Sequence, residues 1–535
     1  MQDIGPWLVI AAPLALAAAA VWPSPKIDPR VLAQIAFAAA LAALCVALAS
    51  AAAVAVEGPL VSATWGALGA GLGVYLDAVS ATMFVLVAFV GVIVLRYSRN
   101  YLDGDPNHGA FMRQMALTIA CVMTFIIAGN LVLMTAAWIA TSVSLNRLLV
   151  FYGERTNARL AGRKKFLVSR LADLCLVAAV LILFMEVGRF DYASVFAAAD
   201  RWDGAVPGPI LAATLLIAGA AVLKSAQFPL HGWILEVMET PTPVSALLHA
   251  GIINAGGFLV LRLADIMALS EPALHVLAII GAISALFGSL VMLTQTSVKV
   301  SLAYSTIAQM GFMLLQCGLG AFAAALLHIV AHSLYKAHAF LSSGGVIDLL
   351  RASWSINPGG APHPARFLLA LIAVLAIAAG VAWAFGATLE DKPGVFTLGA
   401  ILLMSLTLLV ANAIDERANA YVIARAAGAA VVVAIVYFAL QRGAELLFAS
   451  VLPAPPALNQ PIDLAITVLV IGAFAGVTWL QSQLGRANAS PLGQALYVHL
   501  SQGLYVNTLA NRLVLQWWPR SSGARQAIPR ANGKI

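Results

Sequence analysis

Five basic side chains stand in stretches of sequence otherwise almost free of charge: Lys224, His249, His328, His332 and Lys336. Each can take up and release a proton, and each is costly to bury in an apolar medium, so together they mark a path for protons or another small cation. Lys224 lies in Leu223-Lys224-Ser225-Ala226-Gln227-Phe228-Pro229, where the proline breaks a helix. A broken helix at membrane depth is tolerated only against protein or a watery cavity, which makes this a functional-site signature. The plainer alternative is a lysine reaching the interface from a helix end. His249 sits about two turns into the next span, where an imidazole can relay a proton or bond a buried hydroxyl.

His328, His332 and Lys336 are spaced i, i+4, i+8, so a helix stacks them on one face over roughly 12 Å, an arrangement suited to a proton ladder. The two histidines also have zinc-ligand spacing, but Ile329, Val330 and Ala331 between them offer no catalytic carboxylate and no third ligand is evident, so no metal is expected. Arg170 and Asp173, an i, i+3 pair, read either as a structural ion pair or as an ion gate, and Glu239 joins them as a gate candidate. Lys299 opens a later span; interfacial anchoring is its plain alternative.

These residues need elements that hold them at membrane depth, and the composition supplies them. Of 535 residues 62% are hydrophobic and 10% charged, against about 25% charged in a soluble domain. Uncharged runs such as Arg30 to Glu57, Asp77 to Arg96, Glu271 to Lys299 and Lys392 to Asp415 are each long enough for a helix of roughly 20 residues across a hydrocarbon layer. Continuous apolarity selects helices over a barrel. The pattern predicts an all-α polytopic membrane protein with about fifteen spans: near 4–22, 31–56, 71–95, 114–128, 131–150, 165–188, 209–227, 243–265, 273–293, 299–319, 321–349, 365–387, 395–414, 425–441 and 461–482. The first is expected to be a retained helix, since no basic leader precedes it.

Loops after odd-numbered spans are basic, with Lys26 and Arg30, then Arg96, Arg99 and Arg113, then Arg155, Arg159, Arg163, Lys164 and Lys165. Those after even-numbered spans are not, so the N-terminus is expected outside a bacterial inner membrane and the basic tail with Arg512, Arg520, Arg525 and Arg530 in the cytoplasm. That distribution accounts for the net charge of +7 without nucleic acid. The tail from about 483 mixes aromatics and bases, as a segment lying on the membrane or docking a partner would. Cys45, Cys121, Cys175 and Cys317 stand singly and read as small hydrophobes. No phosphate loop, dinucleotide fingerprint or nucleophile triad is present, so neither cofactor nor catalysis on a bound substrate is expected.

Four segments carry a resemblance: Lys224-Ser-Ala-Gln-Phe-Pro-Leu; Met238-Glu-Thr-Pro-Thr-Pro-Val-Ser-Ala-Leu-Leu-His249; Val300 through Gly311; and His328 through Lys336-Ala-His-Ala-Phe-Leu. In combination they resemble the antiporter-like family shared by the large membrane subunit of complex I and Mrp sodium/proton antiporters. The resemblance implies two inverted five-helix repeats, 114–265 and 273–414, each with a broken helix. N-terminal helices 1–113, C-terminal helices 415–482 and the tail 483–535 flank them. Two departures narrow the match. Ile139 follows Trp138 where the complex I subunit carries a glutamate, and no charge lies between Arg366 and Glu390, where the second broken helix would carry a basic residue. With Leu76-Asp77-Ala-Val-Ser-Ala-Thr-Met-Phe, Arg96 through Asp105, His231-Gly-Trp and the tail Ala495-Leu-Tyr-Val-His499, the chain resembles the DabB branch, membrane subunits of energy-coupled inorganic-carbon pumps. That branch implies a proton- or sodium-conducting subunit working with a DabA-like, carbonic-anhydrase-like zinc subunit on the cytoplasmic side. The alternative is a complex I-like redox pump or Mrp-type antiporter subunit.

Overall fold

The computed structural model describes residues 5–21, 28–202, 206–345, 363–387, 392–407, 410–411, 420–454, 461–487 and 490–518. These are almost wholly helical, with one hairpin of Leu60–Val61 against Tyr75–Leu76. Eleven of the described helices are long and apolar enough to cross a membrane. The shorter apolar helices Gly5–Val21, Gly208–Lys224 and Pro393–Met404, with Phe322–Ser342, occupy the remaining expected spans. The chain is therefore a multi-span membrane protein. Of the charges used to orient it, Lys26, Arg520, Arg525 and Arg530 lie outside the described residues.

Side chains at the helix starts satisfy N–H groups that have no intrahelical partner. Asp28 accepts from the Arg30 amide ahead of Pro29, Asn130 from the Leu133 amide, and Asp77 with Ser80 forms a reciprocal capping box. The box corrects the third span. Expected at 71–95, it runs Ala78–Tyr101, because residues before Asp77 are drawn into the hairpin. The sixth span is corrected more strongly: one helix covers Thr156–Val187. Lys164 and Lys165, read from sequence as loop charges, are helical and buried, 4% and 3% exposed.

Helices break where the sequence removes a donor or a side chain. Gly208–Lys224 stops five residues before Pro229, and Ala226 takes a left-handed φ of 51°. The chain re-enters through Gly232–Leu235 and the tighter turn Glu236–Glu239, then Thr242–Ala250. At Gly251 this span unwinds again into the turn Ile252–Asn254 before Ala255–Arg262 completes it. Behind these breaks, Glu271–Met292 and Val298–Gly318 pack backbone to backbone. A Cβ on Gly281 would stand 2.6 Å from the Gly311 carbonyl oxygen, and one on Gly318 would stand 2.2 Å from the Ala278 nitrogen, so only glycine permits the approach.

One fully buried ion pair ties the broken span to the N-terminal helices. Arg262 Nη1 donates to Asp77 Oδ2 at 2.7 Å, with both side chains 2% exposed, and Arg262 Nη2 reaches the Ile126 carbonyl at 3.4 Å. The rings of Tyr75, Phe258 and Tyr192 surround the guanidinium at 4.8, 5.4 and 5.5 Å. Removing one partner of such a pair strands a charge. Asp77→Ala is expected to cost about 3–5 kcal/mol, lowering the thermal midpoint in detergent. Arg262→Met is expected to cost less, because Asp77 then keeps its capping bonds to Ser80.

Candidate ion path

Lys224 is the last residue of its helix, and its aliphatic stem is packed so that the ammonium reaches the helix Leu131–Leu149. Its Nζ donates to Ser142 Oγ at 2.5 Å and to the Trp138 carbonyl at 3.3 Å, and lies 4.0 Å from the Trp138 ring centroid. Where the complex I subunit would place a carboxylate, at Ile139, the same helix instead holds this lysine with a hydroxyl, a carbonyl and an aromatic face. All three are neutral.

Charged groups lie one helix away, on Thr156–Val187. Lys165 Nζ donates to Ser169 Oγ at 2.7 Å and lies 5.8 Å from the Trp233 ring. Arg170 Nη2 approaches Asp173 Oδ2 at 2.7 Å, a charge contact without hydrogen-bond alignment: both Asp173 oxygens are buried with no aligned donor among the described residues. Asp173, Lys165 and Arg170 all lie within electrostatic reach of Lys224. The expected i, i+3 pair is therefore present, as a charge contact on the helix packed against that of Lys224.

A second group forms across the break at Gly251. His249 Nδ1 lies 2.9 Å from Thr306 Oγ1, and its ring stacks on Phe340 at 4.2 Å. Thr306 gives its hydroxyl proton to the Leu302 carbonyl at 3.0 Å, so it accepts from His249, which puts the imidazole proton on Nδ1. The same Leu302 carbonyl accepts from Lys336 Nζ at 3.0 Å, and Ser305 Oγ accepts from it at 2.9 Å. Lys336, fully buried, is thus held by a serine hydroxyl and a main-chain carbonyl, as Lys224 is.

The expected stripe is present: the rings of His328 and His332 stack with centroids 6.0 Å apart, one turn from Lys336. Both border a cavity of about 430 Å³ walled also by Gln309, Ser405, Thr478 and Gln481. His328 Nε2 and both ring nitrogens of His332 are buried without hydrogen-bond partners among the described residues.

Unwound backbone joins the two groups. Ser225 Oγ, next to Lys224, donates to the Ile253 carbonyl at 3.5 Å; Asn254 Nδ2 donates to the Ala250 carbonyl at 3.1 Å and to Ser333 Oγ at 2.8 Å. Lys299 is set apart from both, partly exposed, donating at 3.2 Å to Thr242 Oγ1 at the head of the His249 helix. Glu239 closes the turn Glu236–Glu239, and its side chain lies outside the described residues. Glu236 in the same turn pairs with Lys164. Among the described residues no three His, Cys, Asp or Glu side chains converge as a metal site would require, and the four cysteines are unpaired.

Residues 128–385 match the family model described as NADH:quinone oxidoreductase/Mrp antiporter, TM, and residues 63–112 match that of NADH-Ubiquinone oxidoreductase (complex I), chain 5 N-terminus. The chain is 40% identical over 464 residues to "Probable inorganic carbon transporter subunit DabB2" of Halothiobacillus neapolitanus, covering 86% of this chain and 84% of that one. It is 37% identical over 441 residues to "Probable inorganic carbon transporter subunit DabB" of Hydrogenovibrio crunogenus, covering 82% of each. The chain belongs to the DabB branch of the complex I/Mrp antiporter-like family. A solved Mrp complex from Dietzia sp. DQ12-45-1b shares the fold, with TM-score 0.64 at 22% identity over 95% of this chain and 59% of that one.

In this DabB-family chain, as in the wider family, the machinery is that of a membrane ion-translocating subunit. The sequence marked Lys224 and the His328/His332/Lys336 stripe as candidates and left unmarked the groups that hold the two lysines. Ser142, Ser305 and Thr306 had one available signal, as hydroxyls at helical spacing within apolar runs. Lys164 and Lys165 were masked by Arg159 and Arg163 beside them, which made the whole cluster read as a loop. Removing the hydroxyl that solvates a buried ammonium leaves the ammonium short of an acceptor. Ser142→Ala is expected to cost about 1–3 kcal/mol of stability, read as a lowered thermal midpoint. Ser144→Ala is the control and is expected to cost less, since that hydroxyl, which donates to the Thr141 carbonyl and meets Cys121, solvates no charge.

Proposed function

We propose that this chain conducts protons along Lys224, the unwound segment 251–254, His249, Lys336, His332 and His328, with Lys299 at one end, and that this flow energises inorganic-carbon uptake by a partner subunit. The observation that carries the reading is the matched setting of Lys224 and Lys336: each is buried, and each is held by one serine hydroxyl and one main-chain carbonyl rather than by a carboxylate. A lysine held by neutral acceptors is not locked into an ion pair and can pass a proton on. The neighbouring helix brings Asp173 together with Arg170 and Lys165, so it adds no net negative field in place of the carboxylate absent at Ile139.

The chemistry of the groups favours protons over sodium. Ammonium and imidazolium groups carry protons and repel sodium, and their neutral nitrogen forms are poor ligands for that hard cation, whereas a sodium site needs converging oxygen ligands. The relatives named as inorganic-carbon transporter subunits suggest the cargo, and the partner on this reading is a DabA-like subunit with a carbonic-anhydrase-like zinc site on the cytoplasmic face. The remaining basic loop charges favour an N-terminus outside and a C-terminal tail on that face. Two inverted repeats, 114–265 and 273–414, frame the path. Each proton moving through 100 mV releases about 2.3 kcal/mol, enough to bias capture of bicarbonate.

Lys224→Ala and Lys336→Ala are each expected to reduce inorganic-carbon uptake to background while the complex still copurifies. Uptake should collapse with a protonophore and persist when sodium is omitted. Undiminished uptake in both variants overturns the assignment.

A further inference from the structure

One buried cation has no part in that path. The Lys164 ammonium sits between two regions far apart in the chain. On one side the Gly232 carbonyl at 3.1 Å and Glu236 Oε1 belong to the segment that follows the Lys224 break. On the other, Asn507 Oδ1 at 2.7 Å and Asn511 Oδ1 at 2.6 Å lie one turn apart on the helix Val506–Trp517. Three N–H donors serve four acceptors, so the ammonium is fully solvated only while both regions are in place.

The fit is close. A Cβ on Gly232 would stand 2.2 Å from Asn507 Oδ1, and one on Gly503, just before the helix, would stand 2.5 Å from the Tyr304 hydroxyl. At the far end Trp518 packs its ring edge-on to Phe166 and beneath the Arg163 guanidinium. Yet no residue of Val506–Trp517 is fully buried, so the helix can lift away without opening a core. Lys165, the neighbour of Lys164, lies within electrostatic reach of Lys224.

We propose that Lys164 is a positioning residue that clamps the segment Gly232–Glu239 to the helix Val506–Trp517, so that the seating of this C-terminal helix sets the rate of ion passage at Lys224. The clamp rests on the path proposed above. When the helix unseats, Lys164 keeps only Gly232 and Glu236. The turn carrying Glu236 then shifts to complete the ammonium's solvation, and the shift is passed back to the break at Lys224, twelve residues earlier. A protein bound at the tail's end of the molecule would act on the path through Lys164 and, more weakly, through the Asn507 amide, which donates to Glu236 Oε1 at 3.4 Å.

The test uses the full chain with its copurifying subunit, reconstituted in liposomes carrying a pH-sensitive dye. Seating is read from trypsin cleavage at the exposed Arg512, followed by mass spectrometry of the chain's new C-terminus, which separates this cut from those at Arg520, Arg525, Arg530 and Lys534. Lys164→Met and the double variant Asn507→Ala/Asn511→Ala are expected to speed cleavage and slow proton flux, each about ten-fold, the effect of roughly one lost hydrogen bond. Lys164→Arg is expected to recover both relative to Lys164→Met, and Gly232→Ala, which displaces Asn507 but keeps every ligand, is expected to speed cleavage. Faster cleavage with flux unchanged overturns the clamp, and so does cleavage at the wild-type rate in all variants. Flux that survives Lys224→Ala but falls in the asparagine variant refutes the path and leaves the clamp standing, so the two failures are separable.

Discussion

Inside a hydrocarbon layer every buried polar group must find its partner within the protein, and the organisation of this chain follows from that demand. A helix satisfies its own backbone, so the apolar runs become helices. A break in a helix releases carbonyls and amides that need other partners. Here the breaks at Lys224 and Gly251 face each other, and the Ile253 and Ala250 carbonyls are taken up by Ser225 and Asn254, whose amide also reaches Ser333. The cost of breaking two helices is offset by a polar seam through an otherwise apolar bundle.

The same demand distinguishes the two kinds of buried charge. Arg262 and Asp77 neutralise each other at 2.7 Å, ringed by aromatic side chains, and the pair is structural: it pins the end of the broken span to the capped start of another helix. Lys224 and Lys336 are solvated by neutral groups instead. A paired charge is held; a charge solvated by hydroxyls and carbonyls can come and go with its proton.

Much of the site was readable from local pattern. Length and apolarity marked the spans, prolines and Gly251 marked the breaks, and the i, i+4, i+8 rule placed His328, His332 and Lys336 on one face. These signals are local, set by residues within a turn or two of one another. Where local signals conflicted, the reading slipped. Hairpin pairing and the Asp77 cap moved the third span seven residues along, and a run of arginines disguised Lys164 and Lys165 as loop charges.

By itself, then, the sequence determined that this is a polytopic helical membrane protein with ionisable groups at two broken helices, because transfer free energy and backbone satisfaction depend on residue type and spacing alone. Tertiary structure decided which groups face those charges. Ser142 reaches Lys224 across 82 residues, Asp77 reaches Arg262 across 185, and Asn511 reaches Lys164 across 347. Such pairings depend on how each helix is rotated about its axis and on which neighbours it meets. That is settled by side-chain packing between helices, as where Gly281 lies against Gly311, and no spacing within one helix encodes it.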